Sequence, residues 1–339
     1  MKIGIVTIYK CYNYGSFYQA YGLYKYLEDL GHDVEFIKLD TTYNIKYRLR
    51  RQFTRDVKRD IFSLKLISGY VKDWSKYRIA SGNSTDYDLV IIGSDEIWNI
   101  NNKSFTCLPE YYGLNINCEN IISYASCVGR AVIDDFDDHK DLIDGIKSLK
   151  SVSARDGVTQ EFLSQIREDN NIQRVIDPSF MIDWRAVEKP CKRKDFILVY
   201  TYDGYWGFSD EFIKASKDFA KSVNLPLICV GFRNTWCDEY IACSPCEFLG
   251  YLRNATYVIT DTFHGSAMSI QYNKQFVCMG EGKAKTDSLL EEFDLVDRRY
   301  NGSRELSEIF SNNIDYSVIN QTIKEKTMSS KDYLNRFIK

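Results

Sequence analysis

The hydrophobic pattern opens with a short continuous run, "IGIVTI" (3–8). It is followed by "SFYQAYGLYKYLEDL" (16–30), where apolar residues recur at helical spacing, and by a second run, "VEFIKL" (34–39). A buried strand, an amphipathic helix stopped by Gly31 and a second buried strand make a βαβ unit, and such units build parallel sheets. Further strands are predicted at 87–93, 120–126, 151–154 and 174–176, with a helical pattern over 136–149. A second βα series then supplies strands at 196–202, 225–232, 255–260 and 275–280. Between the two series, "EKPCKRKD" (188–195) interrupts the pattern with charge and a proline. The expected fold is α/β, with two Rossmann-like domains over 1–188 and 189–339 and a final segment, 303–339, that reads as one or two polar helices. Two such halves joined by a short linker suggest a cleft between them, and ligands of these sheets sit at the carboxyl ends of the strands.

Composition narrows the function classes. At 339 residues the chain is too long for one ordinary core, and 44% hydrophobic with 27% charged residues is the balance of a soluble globular protein. A net charge of −3 argues against wholesale nucleic-acid binding. The N-terminal apolar run is about six residues long and ends in Tyr-Lys, much shorter than a signal core or a membrane span, so a cytoplasmic location is expected. The ten cysteines are scattered, which favours reduced thiols over a disulfide framework. Twenty-five tyrosines and five tryptophans supply the flat rings that often cover the C–H faces of sugars. One segment departs from the rhythm: residues 46–78 carry eleven Lys or Arg against three Asp, with aliphatic and aromatic residues between them. It predicts a basic helical insertion in the first domain, either a solvated hairpin or a surface that approaches an anionic membrane or a pyrophosphate-linked lipid acceptor.

Candidate chemistry gathers at the strand ends. His264, one of three histidines, stands between the strand ending near Thr260 and the helix opening in "GSAMSIQY". Helix N-termini favour anions, Asp261 or Thr262 can cap this one, and Gly265 and Ser266 let a ligand approach the backbone. A histidine there suits general acid or base work; the competing reading is a histidine satisfied by a neighbouring carbonyl. After the first strand, Asn13, Gly15 and Ser16 precede a helix and can cradle an anion or a sugar hydroxyl, although no G-x-G-x-x-G is present. In "IIGSDEIWN" (91–99), Asp95 and Trp98 form either a structural turn or an acid beside a sugar-facing indole. Arg155, just past a short strand in "SVSARDG", is either an anion ligand or a salt-bridge partner. Cys243 and Cys246 invite a metal reading, but Ser244, Pro245 and Glu247 explain the same stretch as a helix capping box, and no metal site is expected.

These loops occur in one order. "IGIVTIYKCYNYGSFYQAYGLYKYLEDLGHDVEFI", "DLVIIGSDEIWN", "ISYASCVG", "SVSARDG", "VIDPSFMID", "SPCEFLGYLRNATYVITDTFHGSAMSIQYNKQFV" and "KTDSLLEEFDL" together resemble the polysaccharide pyruvyl transferase family over about residues 3–297. The resemblance implies a GT-B-like architecture, two Rossmann-like domains with parallel sheets facing a central cleft, the N-terminal one on the acceptor side and the C-terminal one on the donor side. It implies transfer of pyruvate from phosphoenolpyruvate to a sugar of a surface polysaccharide or its lipid-linked precursor, as a ketal, without metal or organic cofactor. His264 would be the catalytic histidine and Arg155 the family's arginine in the S-x-R turn. Thr262, Gly265, Ser266, Lys283 and Lys285 would meet the donor, and Asn13, Tyr14, Gly15, Ser16, Asp95 and Trp98 the acceptor. Many members carry arginine two residues before the histidine, where this chain has Thr262; Lys283 and Lys285 are the expected substitutes for its charge. Contact with the inner membrane face would run through 46–78. Two other readings use the same fold, a nucleotide-sugar glycosyltransferase and a non-catalytic carbohydrate-binding protein.

Overall fold

The computed structural model describes all residues except 40–55, 82–85, 103–106, 169–171, 205–206, 281–283 and 339. It separates into two compact units, one of Met1–Ile45, Ser75–Ile182 and Ile323–Lys339, the other of Lys46–Trp74 and Asp183–Thr322.

The chain begins with strand β1 (Lys2–Val6), helix α1 (Tyr14–Asp29) and strand β2 (Asp33–Phe36), the βαβ unit expected from the pattern. Asn13 caps α1, its Oδ1 accepting from Gly15 N at 2.7 Å, and Gly31 takes the left-handed conformation (φ +87°) that turns the chain into β2. Helix α1 is buried on nearly every side. At Gly22 a Cβ would come within 2.3 Å of the Pro178 carbonyl oxygen, so glycine is what lets the helix lie against that turn. Helix α2 (Val57–Trp74) comes next and belongs to the second unit. The first unit resumes with β3 (Leu89–Asp95), β4 (Ile121–Ser126), α3 (Lys140–Ser148), β5 (Ser153–Ala154), α4 (Gly157–Ile166) and β6 (Gln173–Arg174). Its sheet is wholly parallel in the order β2-β1-β3-β4-β5-β6. Strand order therefore reverses direction between β1 and β3.

The second unit contains β7 (Ile197–Tyr200), α5 (Asp210–Val223), β8 (Leu227–Val230), β9 (Glu239–Ile241), α6 (Pro245–Asn254), β10 (Tyr257–Thr260), α7 (Phe263–Gln271), β11 (Gln275–Met279), α8 (Ala284–Glu292), β12 (Arg299–Tyr300), α9 (Leu306–Ser311) and α10 (Tyr316–Asn335), the last of which enters the first unit at Ile323. Its sheet, also parallel, runs β12-β11-β10-β7-β8-β9, with the reversal between β7 and β10. Both sheets bury their central strands almost throughout, which is why those strands read as apolar runs rather than alternating ones.

Three segments, 46–74, 183–188 and 323–339, lie elsewhere than the linear division at 188/189 assigns them. Residues 46–74 join the second unit instead of the first domain; of the expected insertion, 46–55 lie outside the described residues and the described part carries helix α2. The inner side of α2 explains this. Its cap residue Asp56 pairs with Arg233 at 2.8 Å, Phe62 meets the Tyr240 ring at 5.8 Å, and buried Asp73 accepts from Cys246 N at 2.8 Å at the start of α6. Residues 323–339 join the first unit, where Tyr333 Oη donates to Ser123 O at 2.9 Å and Ser330 Oγ accepts from Ile176 N at 2.9 Å. The capping box at the start of α6 is present as read, with Ser244 Oγ accepting from Glu247 N at 3.2 Å and Glu247 Oε2 accepting from Ser244 N at 2.9 Å.

Candidate active site

In open parallel sheets the crevice beyond the carboxyl ends of the strands, at the point where strand order reverses, is the usual ligand position. In the second unit that point lies between β7 and β10, and the residues leaving these strands are Thr201 on one and Asp261 to His264 on the other. Thr262 caps α7, its Oγ1 accepting from Gly265 N at 2.9 Å and lying 3.1 Å from Thr260 Oγ1. Thr260 Oγ1 in turn donates to Tyr200 O at 2.7 Å, tying the turn to the neighbouring strand. His264 is the second residue of α7, half-buried, its ring edge-on to Phe263 at 4.9 Å. Gly265 is sterically required: a Cβ there would stand 2.1 Å from Thr260 Oγ1 and 2.6 Å from Thr262 Oγ1.

Two buried hydroxyls of this region, Thr201 Oγ1 and Ser266 Oγ, have no hydrogen-bond partner among the described residues. Buried polar atoms are nearly always paired, so a pair of orphaned hydroxyls at a strand-order reversal fits a polar ligand. Asn234 Nδ2 holds the end of β7 by donating to Thr201 O at 2.9 Å. Tyr202 follows, 39% exposed, with its ring 5.0 Å from that of Phe232. Lys285 is half-buried near the start of α8, which packs against α7. Lys283 lies outside the described residues.

The first unit brings its own candidates to the reversal between β1 and β3. Thr7 Oγ1 reaches across, 3.1 Å from Ser94 O and 3.2 Å from Gln19 Oε1, two acceptors for its single proton. Ser16 Oγ lies 3.4 Å from Asp95 Oδ2, so the first turn of α1 and the end of β3 do meet. Asp95 holds a left-handed backbone (φ +71°), as does Ala125 in the adjoining strand (φ +54°), where a bulge leaves Ala125 N to donate to Ser153 Oγ at 3.1 Å. Strained non-glycine residues of this kind gather at functional sites. Asn13 keeps a partly exposed side chain, while Gly15 and Ser16 are buried in the first turn of α1.

Beneath these loops sits a buried ionic network. Arg155 Nη1 pairs with Asp177 Oδ2 at 3.0 Å, and Ser94 Oγ donates to the same oxygen at 3.2 Å. The Cys127 thiol donates to Asp156 Oδ2 at 2.9 Å, and Asp156 caps α4 by accepting from Thr159 N at 2.8 Å. Burial alone works against charge on Arg155, but Cys127, Asp177, Asp95 and Asp156 outweigh it and raise the guanidinium pKa. Burial likewise would raise the Asp156 carboxyl, yet Arg155, the Cys127 thiol and Thr159 hold it below the usual range.

Several sequence expectations are corrected by these positions. Trp98 is fully buried and spends its indole N–H on Tyr111 O at 2.7 Å, so it packs the core and presents no ring to a sugar. Tyr14 is also a core residue. Arg155, expected to meet an anion, has only 3% of its side chain exposed and faces carboxylates. The Thr262 hydroxyl caps α7 as its position allows, and is thereby engaged rather than open to a donor. Thr201, Asn234 and Tyr202 carry no motif in the sequence and are found only because β7 ends beside β10. Asp156 and Asp177 stand in the quoted stretches "SARDG" and "VIDPSF", but their pairing with Cys127 and Arg155 is tertiary.

Comparison with known proteins gives a family and a fold. The profile of the family described as polysaccharide pyruvyl transferase matches residues 13–282. No curated protein sequence matches the chain. Among solved structures, an alpha-glucosyltransferase in complex with UDP-glucose and DNA containing an abasic site aligns at a TM-score of 0.54 and 9% identity over all of both chains. The glycotransferase of kitacinnamycin gives 0.53 at 10% identity, covering 100% of this chain and 99% of that one. The S. aureus MnaA structure with UDP gives 0.53 at 11%, covering 98% and 95%. At such identities the likeness is one of fold, that of GT-B glycosyltransferases and epimerases.

Proposed function

Because the chain belongs to the polysaccharide pyruvyl transferase family, we propose that it moves pyruvate from phosphoenolpyruvate onto two hydroxyls of a sugar in a surface polysaccharide or its lipid-linked precursor. The product is a ketal. Protonation of the donor's methylene carbon makes C2 electrophilic; one sugar hydroxyl adds there, the C2–O bond to phosphate breaks, and the second hydroxyl closes the ring. Of the two protons lost by the hydroxyls, one balances the new methyl group and one leaves on phosphate. The step needs a group that both gives and takes a proton, and phosphoenolpyruvate carries its own leaving group, so the proposal calls on no metal or organic cofactor.

His264 is the proposed proton carrier. What supports this is its place at the strand-order reversal of the second unit, on the first turn of α7 and near the Thr201 and Ser266 hydroxyls, which have no partner among the described residues. An anionic donor would be favoured by that helix terminus, with Ser266, Gly265 and Lys285 as further donor contacts and Lys283 as a sequence-based one. Asn13, Ser16 and Asp95 are the proposed acceptor contacts. Arg155 is proposed as a positioning residue that holds Asp177 beneath the Asp95 loop.

The test is phosphate release and a mass gain on a candidate glycan incubated with phosphoenolpyruvate. His264→Ala is expected to lose activity by at least about a hundredfold, the usual worth of a positioned acid or base, with KM for the donor changed far less. Turnover like that of the unaltered protein would remove His264 from the mechanism.

A further inference from the structure

Helix α2 turns one long face outward, and we propose that this face docks the protein on an anionic lipid surface. At 100° per residue, Val57, Ile61, Leu64 and Val71 fall within an arc of about 80°, one above the other along the helix. They are 69%, 49%, 47% and 51% exposed, far beyond what core-facing residues show. The other large apolar residues this exposed stand ten or more positions apart in sequence, so no other described helix carries such a stripe along one face.

Charge runs beside the stripe. Lys58, Lys65 and Lys72, spaced by seven, form a second exposed row on one flank, and Asp60 is the single acid on the outward arc. The inner face is held fast by Asp56, Phe62 and Asp73, and by Gly69, where a Cβ would stand 2.9 Å from the Ser244 backbone. Packing therefore fixes which side looks outward. No described helix is long and apolar enough to cross a membrane. An aliphatic stripe bordered by lysines is instead the pattern of a helix lying in the interface, with the apolar groups at the headgroup boundary and the lysines against anionic lipid. A protein partner fits less well. Protein interfaces are depleted in lysine and are anchored by Tyr, Trp and Arg, and the outward arc has three lysines and none of those anchors.

The experiment is co-sedimentation of the full chain with vesicles of phosphatidylcholine alone and with about a third phosphatidylglycerol, at low and high salt. Binding to the anionic vesicles is expected to be at least about tenfold tighter and to weaken with salt. Ile61→Asp with Leu64→Asp should abolish binding to both vesicle types. Lys58→Glu with Lys65→Glu should remove the preference for phosphatidylglycerol. All these positions are exposed, so thermal unfolding should match the unaltered protein and separate lost docking from lost folding. Equal binding to both vesicle types, or variants that bind as the parent does, would overturn the proposal. So would a dimer that Ile61→Asp with Leu64→Asp disperses in the absence of vesicle binding, which would give the face to a second copy. Because sedimentation is the readout, the outcome is independent of the proposed pyruvyl transfer.

Discussion

Arg155 illustrates how a single residue changes meaning once its surroundings are known. In "SVSARDG" it is a lone cation after a strand, free in principle to meet phosphate. Folded, it is one guanidinium among Asp177, Asp156 and Asp95, with 3% of its side chain exposed. Removing one partner of a buried pair leaves uncompensated charge, so Arg155→Met should cost about 3–5 kcal/mol in urea unfolding at pH 7. The sign of its pH dependence follows from Asp156. A carboxyl held low contributes stability that is present above its unfolded pKa and is lost as pH falls through the folded one. Arg155→Met forfeits that contribution, so its deficit should be largest near neutrality and shrink as the medium is taken below about pH 4, where unfolded aspartate protonates. A deficit constant with pH would mean that Arg155 acts through packing alone.

At the scale of elements, the junction of β10 and α7 was largely legible. A strand ending in "YVIT", a capping threonine and a helix just after it follow from local rules, although α7 starts at Phe263, two residues before the glycine from which the pattern reads it. The reason for glycine at 265 was not: it is required because its Cα faces two threonine hydroxyls across the turn, one of them bonded to the next strand. Gly265→Ala should therefore displace that contact, destabilising by about 1–3 kcal/mol through overpacking. It should also lower turnover by shifting His264, whereas alanine elsewhere in a helix is neutral or better. Unchanged thermal stability in the variant would show the turn to be softer than its packing implies. Helix α2 teaches the converse. Its basic, amphipathic character was evident from residues 46–78, but which side faces outward depended on Asp73 reaching the start of α6, a contact between residues 173 positions apart.

For the whole molecule, the two strand orders matter most. Both reversals bring segments far apart in sequence to a common edge, Thr7 with Ser94 and Ser16 with Asp95 in one unit, and Tyr200 with Thr260 in register in the other. If the second unit binds phosphoenolpyruvate, a donor concentration about a hundredfold above Kd should stabilise it by roughly 2.7 kcal/mol and raise Tm by several degrees. Lys285→Ala should reduce that rise. A Tm shift with UDP-glucose and none with phosphoenolpyruvate would favour nucleotide-sugar chemistry on the same fold.

What the chain determined alone was what nearest neighbours in sequence determine: the βα alternation, the capped helix starts, the family and the histidine at a strand end. Each follows from apolar periodicity and hydrogen bonds spanning a few residues. The folded chain decided the rest. It drew Trp98 and Tyr14 into the core, closed Arg155 among acids, assigned α2 to the second unit and the C-terminal segment to the first, and left the Thr201 and Ser266 hydroxyls without partners among the described residues. Those outcomes turn on burial and on contacts between distant segments, and no local pattern encodes which strands become neighbours.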